Sequence, residues 1–140
     1  MSERAAIPRP LPRMDGMNGD FYRECARARR LVFQRCEACG TPRHPPRILC
    51  ARCGSERVSW VPSEGRGTVF SWTVTHQAPH PAFASLVPYA VVVVELEEGV
   101  RIVAGLRELD PEDLELGLAV EVALEEVSEG ILLPCVRPRG

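Results

Sequence analysis

Cys36-Glu37-Ala38-Cys39-Gly40 and Cys50-Ala51-Arg52-Cys53-Gly54 are two copies of one unit, Cys-x-x-Cys-Gly, with ten residues between Cys39 and Cys50. In each copy the glycine can take a backbone conformation that a Cβ resists, which closes a tight turn and points both sulfurs the same way. The second copy supplies the other half of a tetrahedron, so Cys36, Cys39, Cys50 and Cys53 read as a four-thiolate zinc site. A pair of disulfides or spaced free thiols would give the same letters, and four thiolates also suit iron. The duplicated spacing favours a bound metal over disulfides or free thiols. With all four coordination positions taken by protein, the metal keeps none open for substrate or activated water, so its role is structural. His44, in the intervening loop, is a ligand by type but surplus to a filled site.

Outward from that stretch, the chain has 140 residues, 45% hydrophobic and 26% charged, which suits one domain or two small ones. The longest wholly apolar run, Tyr89 to Val94, is far too short to span a bilayer and reads as a buried strand. The start, Met1-Ser2-Glu3-Arg4, leads into a proline-rich stretch with no apolar core of a secretory signal. Paired thiolates without an export signal point to the reducing cytoplasm. The two remaining cysteines, Cys25 and Cys135, lack the context of a nucleophile and read as small buried apolar residues. Charge is uneven: residues 1–60 hold 12 Arg and 6 acids, residues 61–140 hold 5 Arg and 13 acids. There is no lysine, so every cationic side chain contact comes from arginine, which favours planar recognition of carboxylate or phosphate.

The order of elements follows from periodicity. Residues 1–16, with Pro8, Pro10 and Pro12, read as a flexible tail. From Asn18 to Leu31, Phe21, Tyr22, Cys25 and Ala28 recur at helical spacing, with Asn18 or Asp20 as the cap. The stripe packs either on its own chain or on a partner protein. Leu31–Gln34 is a strand entering the first cysteine turn, Thr41–Ile48 a loop kept from helix by its prolines, and Arg57–Val61 closes the ribbon with Trp60 over the zinc. Five strands follow: Gly67–Thr75, Tyr89–Leu96, Val100–Leu106, Leu118–Val127 and Ile131–Val136. Asp110-Pro111 starts a helical turn between the third and fourth. That connectivity predicts a mainly β protein: 1–16 tail, 17–61 helix and zinc ribbon, 62–140 a five-stranded Greek-key barrel of the OB type, with an SH3-like barrel as runner-up.

With these residues in order, the chain resembles a known family. The carrying stretches are Phe21-Tyr22, Leu31 to Gly40, Pro45-Pro46-Arg47, Cys50 to Gly54, Gly65 to Val74, Pro88-Tyr89 and Glu95-Leu96. They are similar to those of the acyl-CoA-associated OB-fold proteins with an N-terminal rubredoxin-like zinc ribbon, long carried as a domain of unknown function. The resemblance implies a small accessory subunit, commonly in a heterotetramer with a thiolase-like protein. Such partners include acetoacetyl-CoA thiolases, acyltransferases and side-chain-cleaving aldolases of steroid breakdown. It also implies that the barrel helps shape the acyl-CoA channel while catalytic Cys and His belong to the partner.

The residues themselves offer little chemistry of their own. His76 and His80 share the long loop His76–Pro88 with Phe83 and lack an adjacent Ser or Cys nucleophile. Glu95, Glu97 and Glu98 lie on and after a strand and read as solvated turn residues. Gly65-Arg66-Gly67 precedes a strand, so it is a turn and not a phosphate loop. Phe21, Tyr22, Trp72, His76, His80 and Phe83 are the expected substrate or partner contacts. The expectation is a non-catalytic acyl-CoA-associated subunit without turnover alone. The alternative is a single-stranded nucleic-acid-binding ribbon and barrel, which the acidic barrel half disfavours.

Overall fold

A computed structural model describes residues 8–140; the first seven residues of the expected tail lie outside the described residues, and residues 8–14 contain no helix or strand. The helix, α1, spans Gly16–Ala28, starting and ending earlier than its apolar spacing predicts. Neither Asn18 nor Asp20 caps it. Asp15 occupies the N-cap without a side-chain hydrogen bond to the helix amides. The start is set by Gly19 instead, because a Cβ there would lie 2.0 Å from the Met14 carbonyl oxygen. That carbonyl rests against the bare Cα and accepts from the Arg23 guanidinium. The end is set by Arg29, whose φ of 53° is left-handed and stops the helix short of Leu31. Phe21 and Cys25, one turn apart, are buried in this chain's own core, so the helix covers its own protein.

The ribbon is a three-stranded sheet of order β2-β1-β3, with β1 Val32–Cys36, β2 Pro42–Arg43 and β3 Val58–Pro62. The two-residue strand β2 lies inside the stretch expected to be loop. It pairs Arg43 with Gln34 and Pro42 with Arg35 at the sheet edge, where a proline without an N–H is tolerated. Trp60, expected over the metal, packs its ring 6.4 Å from that of Phe21 and joins the apolar cluster shared with the barrel.

The barrel comprises β4 Arg66–Thr75, β5 Tyr89–Leu96, β6 Arg101–Leu106, β7 Ala119–Ser128 and β8 Ile131–Pro138. It closes in the order β4-β5-β6-β8-β7, with β7 returning to β4. Neighbours are antiparallel except β6 and β8, which pair in parallel through Gly105–Cys135 and Leu106–Val136. This is the OB closure rather than the SH3-like one. Asp110 accepts from the Glu112 amide at 2.9 Å, but the turn it starts, Pro111–Asp113, is only one 3₁₀ turn. Ala90, Val92 and Val94 fill the interior together with Val69, Val120 and Val136.

One core runs from helix through ribbon to barrel: Phe21, Cys25, Leu31, Val32 and Phe33 belong to the same buried cluster as the barrel valines. The junction is clamped by a carboxylate expected in solvent. Glu98, on the β5–β6 turn, accepts from the Ser63 hydroxyl at 3.0 Å and the Glu64 amide at 2.8 Å. Ser63 in turn donates its amide to the Leu31 carbonyl at 2.9 Å. Phe33, 1% exposed, sits in this shared core. Phe33→Ala is therefore expected to cost about 3–5 kcal/mol and to lower a single cooperative unfolding transition. Calorimetry resolving two transitions, with only one moved, would show instead that ribbon and barrel fold separately.

Candidate metal centre and barrel cleft

The two cysteine turns are built alike. The Gly40 amide donates to the Cys36 carbonyl and the Gly54 amide to the Cys50 carbonyl, each at 2.9 Å. The Cys36 amide donates to the Thr41 carbonyl and the Cys50 amide to that of Ser55, again at 2.9 Å. Gly40 and Gly54 have φ of 77° and 75°, the left-handed values the sequence requires of them. All four sulfurs lie within 4.8 Å of one another, with Cys36–Cys53 and Cys39–Cys50 both at 3.6 Å. A disulfide needs about 2.05 Å. A tetrahedron of sulfurs around zinc at about 2.3 Å has edges of about 3.8 Å, so the spacing fits the metal and not a bridge.

The electrostatics agree. Amides of Cys39 and Ala38 hold the Cys36 thiol down to about 6. Amides of Cys53 and Arg52 lower that of Cys50. The Ser55 amide draws Cys53 the same way, but burial and the sulfurs of Cys36, Cys39 and Cys50 win and push it up to about 11. Sulfurs this close oppose one another's ionisation, and a dication relieves that opposition. Bound zinc supplies a fourfold crosslink between the turns; the amides and the Thr41 hydroxyl, 3.1 Å from the Cys39 sulfur, steady the thiolates. His44 lies outside the cluster, its ring 5.0 Å from that of Phe21, where burial lowers its basicity.

On the barrel, a cleft of about 770 Å³ opens over β5, β6, β7 and β8. Its floor includes Val91, Val103, Gly105 and Cys135, and Phe83 and Leu86 of the β4–β5 loop form one wall. Two of the expected contact residues meet here, Tyr22 of α1 and Phe83. Phe83 is held by the 3₁₀ turn Pro81–Phe83, whose N-cap is His80: its Nδ1 accepts from the Ala82 amide at 3.0 Å. His80 thus positions the loop. Phe21 is buried, Trp72 packs against the core from β4, and His76 is exposed; none of the three lines the cleft.

The cleft's polar end was not visible in the sequence. Arg107 holds Glu125 with both oxygens, at 2.9 and 3.2 Å, and Arg9 approaches the same carboxylate at 3.6 Å. The guanidinium of Arg9 also stands 5.5 Å from the Phe83 ring. Arg107 keeps Glu125 below the usual carboxylate range, while burial and the Glu125 charge push the Cys135 thiol up. A thiol kept protonated is a poor nucleophile, so this cleft's groups suit binding. The nearest signal was the two-faced apolarity of Tyr89–Val94, since Val91 and Val93 would be wasted on an uncovered outer face.

Metal and ribbon are expected to stand or fall together. A purified chain should carry about one zinc, and stripping it with a strong chelator at neutral pH should lower the melting temperature by on the order of 10 °C. A chain that gives up its zinc with an unchanged melt would show that the turns hold without it.

Residues 23–59 match the family model described as the ChsH2 rubredoxin-like zinc ribbon domain, and residues 60–125 match the ChsH2 C-terminal OB-fold domain. A probable enoyl-CoA hydratase alpha subunit from Thermomonospora curvata is 44% identical over 135 residues, which is 96% of this chain but 41% of the relative. The chain therefore spans under half the length of that relative. A DUF35 domain-containing scaffold protein from Methanocaldococcus jannaschii is 34% identical over 100 residues, covering 71% of this chain and 70% of the relative. Among solved structures, a chain of an Ltp2-ChsH2(DUF35) aldolase superposes with a TM-score of 0.79 at 42% identity, over 93% of this chain and 98% of that one. No helix among the described residues is long and apolar enough to cross a membrane. From the paired ribbon and barrel matches and these relatives, the chain belongs to the DUF35 family, with the zinc ribbon and OB-fold domains of the ChsH2 type.

Proposed function

We propose that this chain is an accessory subunit of an acyl-CoA enzyme, that its partner is a thiolase-like protein, and that it helps hold the partner's acyl-CoA substrate without supplying catalytic groups. The single observation carrying this reading is the barrel cleft: apolar along its length, with one arginine-rich polar end. Such a site accepts an amphiphile or an apolar partner segment. The names of similar proteins support the coarser half, since they describe a hydratase alpha subunit, a scaffold protein and an aldolase assembly. The thiolase-like identity rests on the family resemblance of the sequence. The polarity of the groups supports a binding role: Glu125 is occupied by arginine, Cys135 is protonated, and the zinc centre keeps no coordination position open. A reduced four-thiolate site suits the cytoplasm.

The test is a cleft filled without damage to the barrel. Val103 is 59% exposed. The heavy atoms nearest a Cβ on Gly105 are those of the Arg107 guanidinium, the first at 3.0 Å, so a larger residue there would press on the Arg107–Glu125 pair rather than on barrel backbone. The double variant V103R/G105L should fold as the parent does. Expressed with a thiolase-like partner that the parent chain binds, it should lose roughly tenfold or more in affinity for that partner or for acyl-CoA in the complex. Undiminished assembly and acyl-CoA affinity would remove the cleft from the function. Salt-sensitive oligonucleotide binding, with no effect on the partner's turnover, would move the chain to the nucleic-acid-binding class.

A further inference from the structure

Arg43 is the one charged side chain of the ribbon taken out of water, at 4% exposure. Among the described residues it faces no carboxylate: Arg43 is absent from every ion pair, and its hydrogen bonds go to backbone carbonyls. One terminal nitrogen donates to Arg47 and Ile48, at 3.2 and 3.3 Å, and the other to Ser55 and Arg57, at 2.9 and 3.3 Å. Its Nε is buried and has no hydrogen-bond partner among the described residues. A buried guanidinium that meets only partial charges is costly, and an orphaned N–H adds to that cost.

An anion is close at hand. Four thiolates around a dication leave a net charge of minus two, and the guanidinium sits between the two cysteine turns: the Ser55 carbonyl it grips also accepts the Cys50 amide at 2.9 Å, and the Arg57 carbonyl also accepts the Glu37 amide at 3.1 Å. The other ribbon arginines are poor substitutes. Arg35, Arg47 and Arg52 are exposed, and Arg57 leans to Glu37 at 3.7 Å, so water and salt screen their charges. We infer that Arg43 is a fifth residue of the metal centre: a buried counter-cation for the thiolate–metal cluster, with its Nε–H reserved for a ligand sulfur. The same side chain sets the spacing between the turns. It leaves the first turn on β2 and grips carbonyls on both sides of the second. Only an arginine has donors enough to bond four carbonyls and still offer one N–H to sulfur.

The inference is independent of the proposed partner and is tested on the metal-loaded chain alone. R43M removes the charge at similar volume; R43K keeps the charge and loses the fork; R43Q keeps donors without charge. Zinc affinity, measured by competition with a chromogenic chelator, should fall about 10- to 100-fold in R43M and R43Q. It should recover most of that loss in R43K. The second readout separates charge from scaffolding. With iron in the site, the ferric form carries one negative charge and the ferrous form two, and an electrode supplies the electron. Loss of a buried cation should disfavour the ferrous form at least tenfold in R43M and R43Q, a fall in midpoint potential of about 59 mV or more. R43K should stay near the parent. Parent-like affinity and potential in R43M and R43Q, or an R43K potential as low as theirs, would overturn the counter-cation. Where the uncharged variants fail to fold, the unmodified chain loaded with cadmium-113 decides the case. Scalar coupling between the Arg43 Nε–H and cadmium, carried through sulfur, is expected, and its absence overturns the inference.

Discussion

Four sulfurs that carry or approach negative charge are held within 4.8 Å of one another, and this convergence is the constraint on which the ribbon depends. Left to themselves the thiols resist ionising together: the amides of Cys39 and Ala38 draw Cys36 down, while burial and the neighbouring sulfurs push Cys53 up. A divalent cation turns that repulsion into four bonds. The ribbon needs them, since its three strands are short and β2 has only two residues. A sheet of that size buries too little apolar surface to hold itself together. The crosslink closes the outer end, and the inner end is finished by Phe33 and Val32 entering the core of the barrel. Metal and barrel thus stabilise the ribbon from opposite sides.

The barrel gains from the arrangement as well. Its core residues alternate inward as Val92 and Val94 on β5, Ile102 and Ala104 on β6, and Val120 and Val122 on β7, yet the cluster reaches its full extent only where α1 and β1 deliver Phe21, Cys25 and Val32 to it. The Glu98–Ser63 clamp fixes the angle at which ribbon meets barrel, through a carboxylate drawn into a half-buried junction by a hydroxyl and an amide. One glutamate oxygen there, Oε1, is buried without a hydrogen-bond partner among the described residues. The geometry of the junction therefore bears a polar cost that is accepted only because the apolar surfaces it brings together are larger.

What could be read from the sequence was what short spacing encodes. The four ligands lie in two five-residue units, and the barrel strands follow from alternation, so Tyr89–Leu96 is found where expected. Features made by distant residues were illegible. The helix start depends on the Met14 carbonyl lying on Gly19, a matter of backbone path and not of capping letters. Trp60 turned toward Phe21 because the helix returns over the ribbon, which its periodicity could not say. The polar end of the cleft joins Arg9, Arg107 and Glu125 from three remote segments. Tyr22 and Phe83 both line the cleft, whereas Phe21 faces inward because the one-turn repeat with Cys25 places it on the buried stripe.

The two arginine-centred features answer different electrostatic problems with the same side chain. Arg107 sits at a surface where its partner carboxylate is part-exposed, so the pair fixes geometry more than it adds stability. Its guanidinium lies beside Gly105, 3.0 Å from where a Cβ would stand, so the bare glycine makes room for the pair. Arg43 is out of water altogether, where an unpaired charge is tolerated only beside an opposite one. A chain without lysine uses the planar fork in both places, once to hold a carboxylate and once to gather carbonyls around a metal site. Both arrangements leave reactive groups occupied: the carboxylate by arginine, the sulfurs by metal. What remains free is surface, namely the apolar floor of Val91 and Val103 and the wall of Phe83 and Leu86. That surface is what the proposed subunit would bring to an acyl-CoA enzyme.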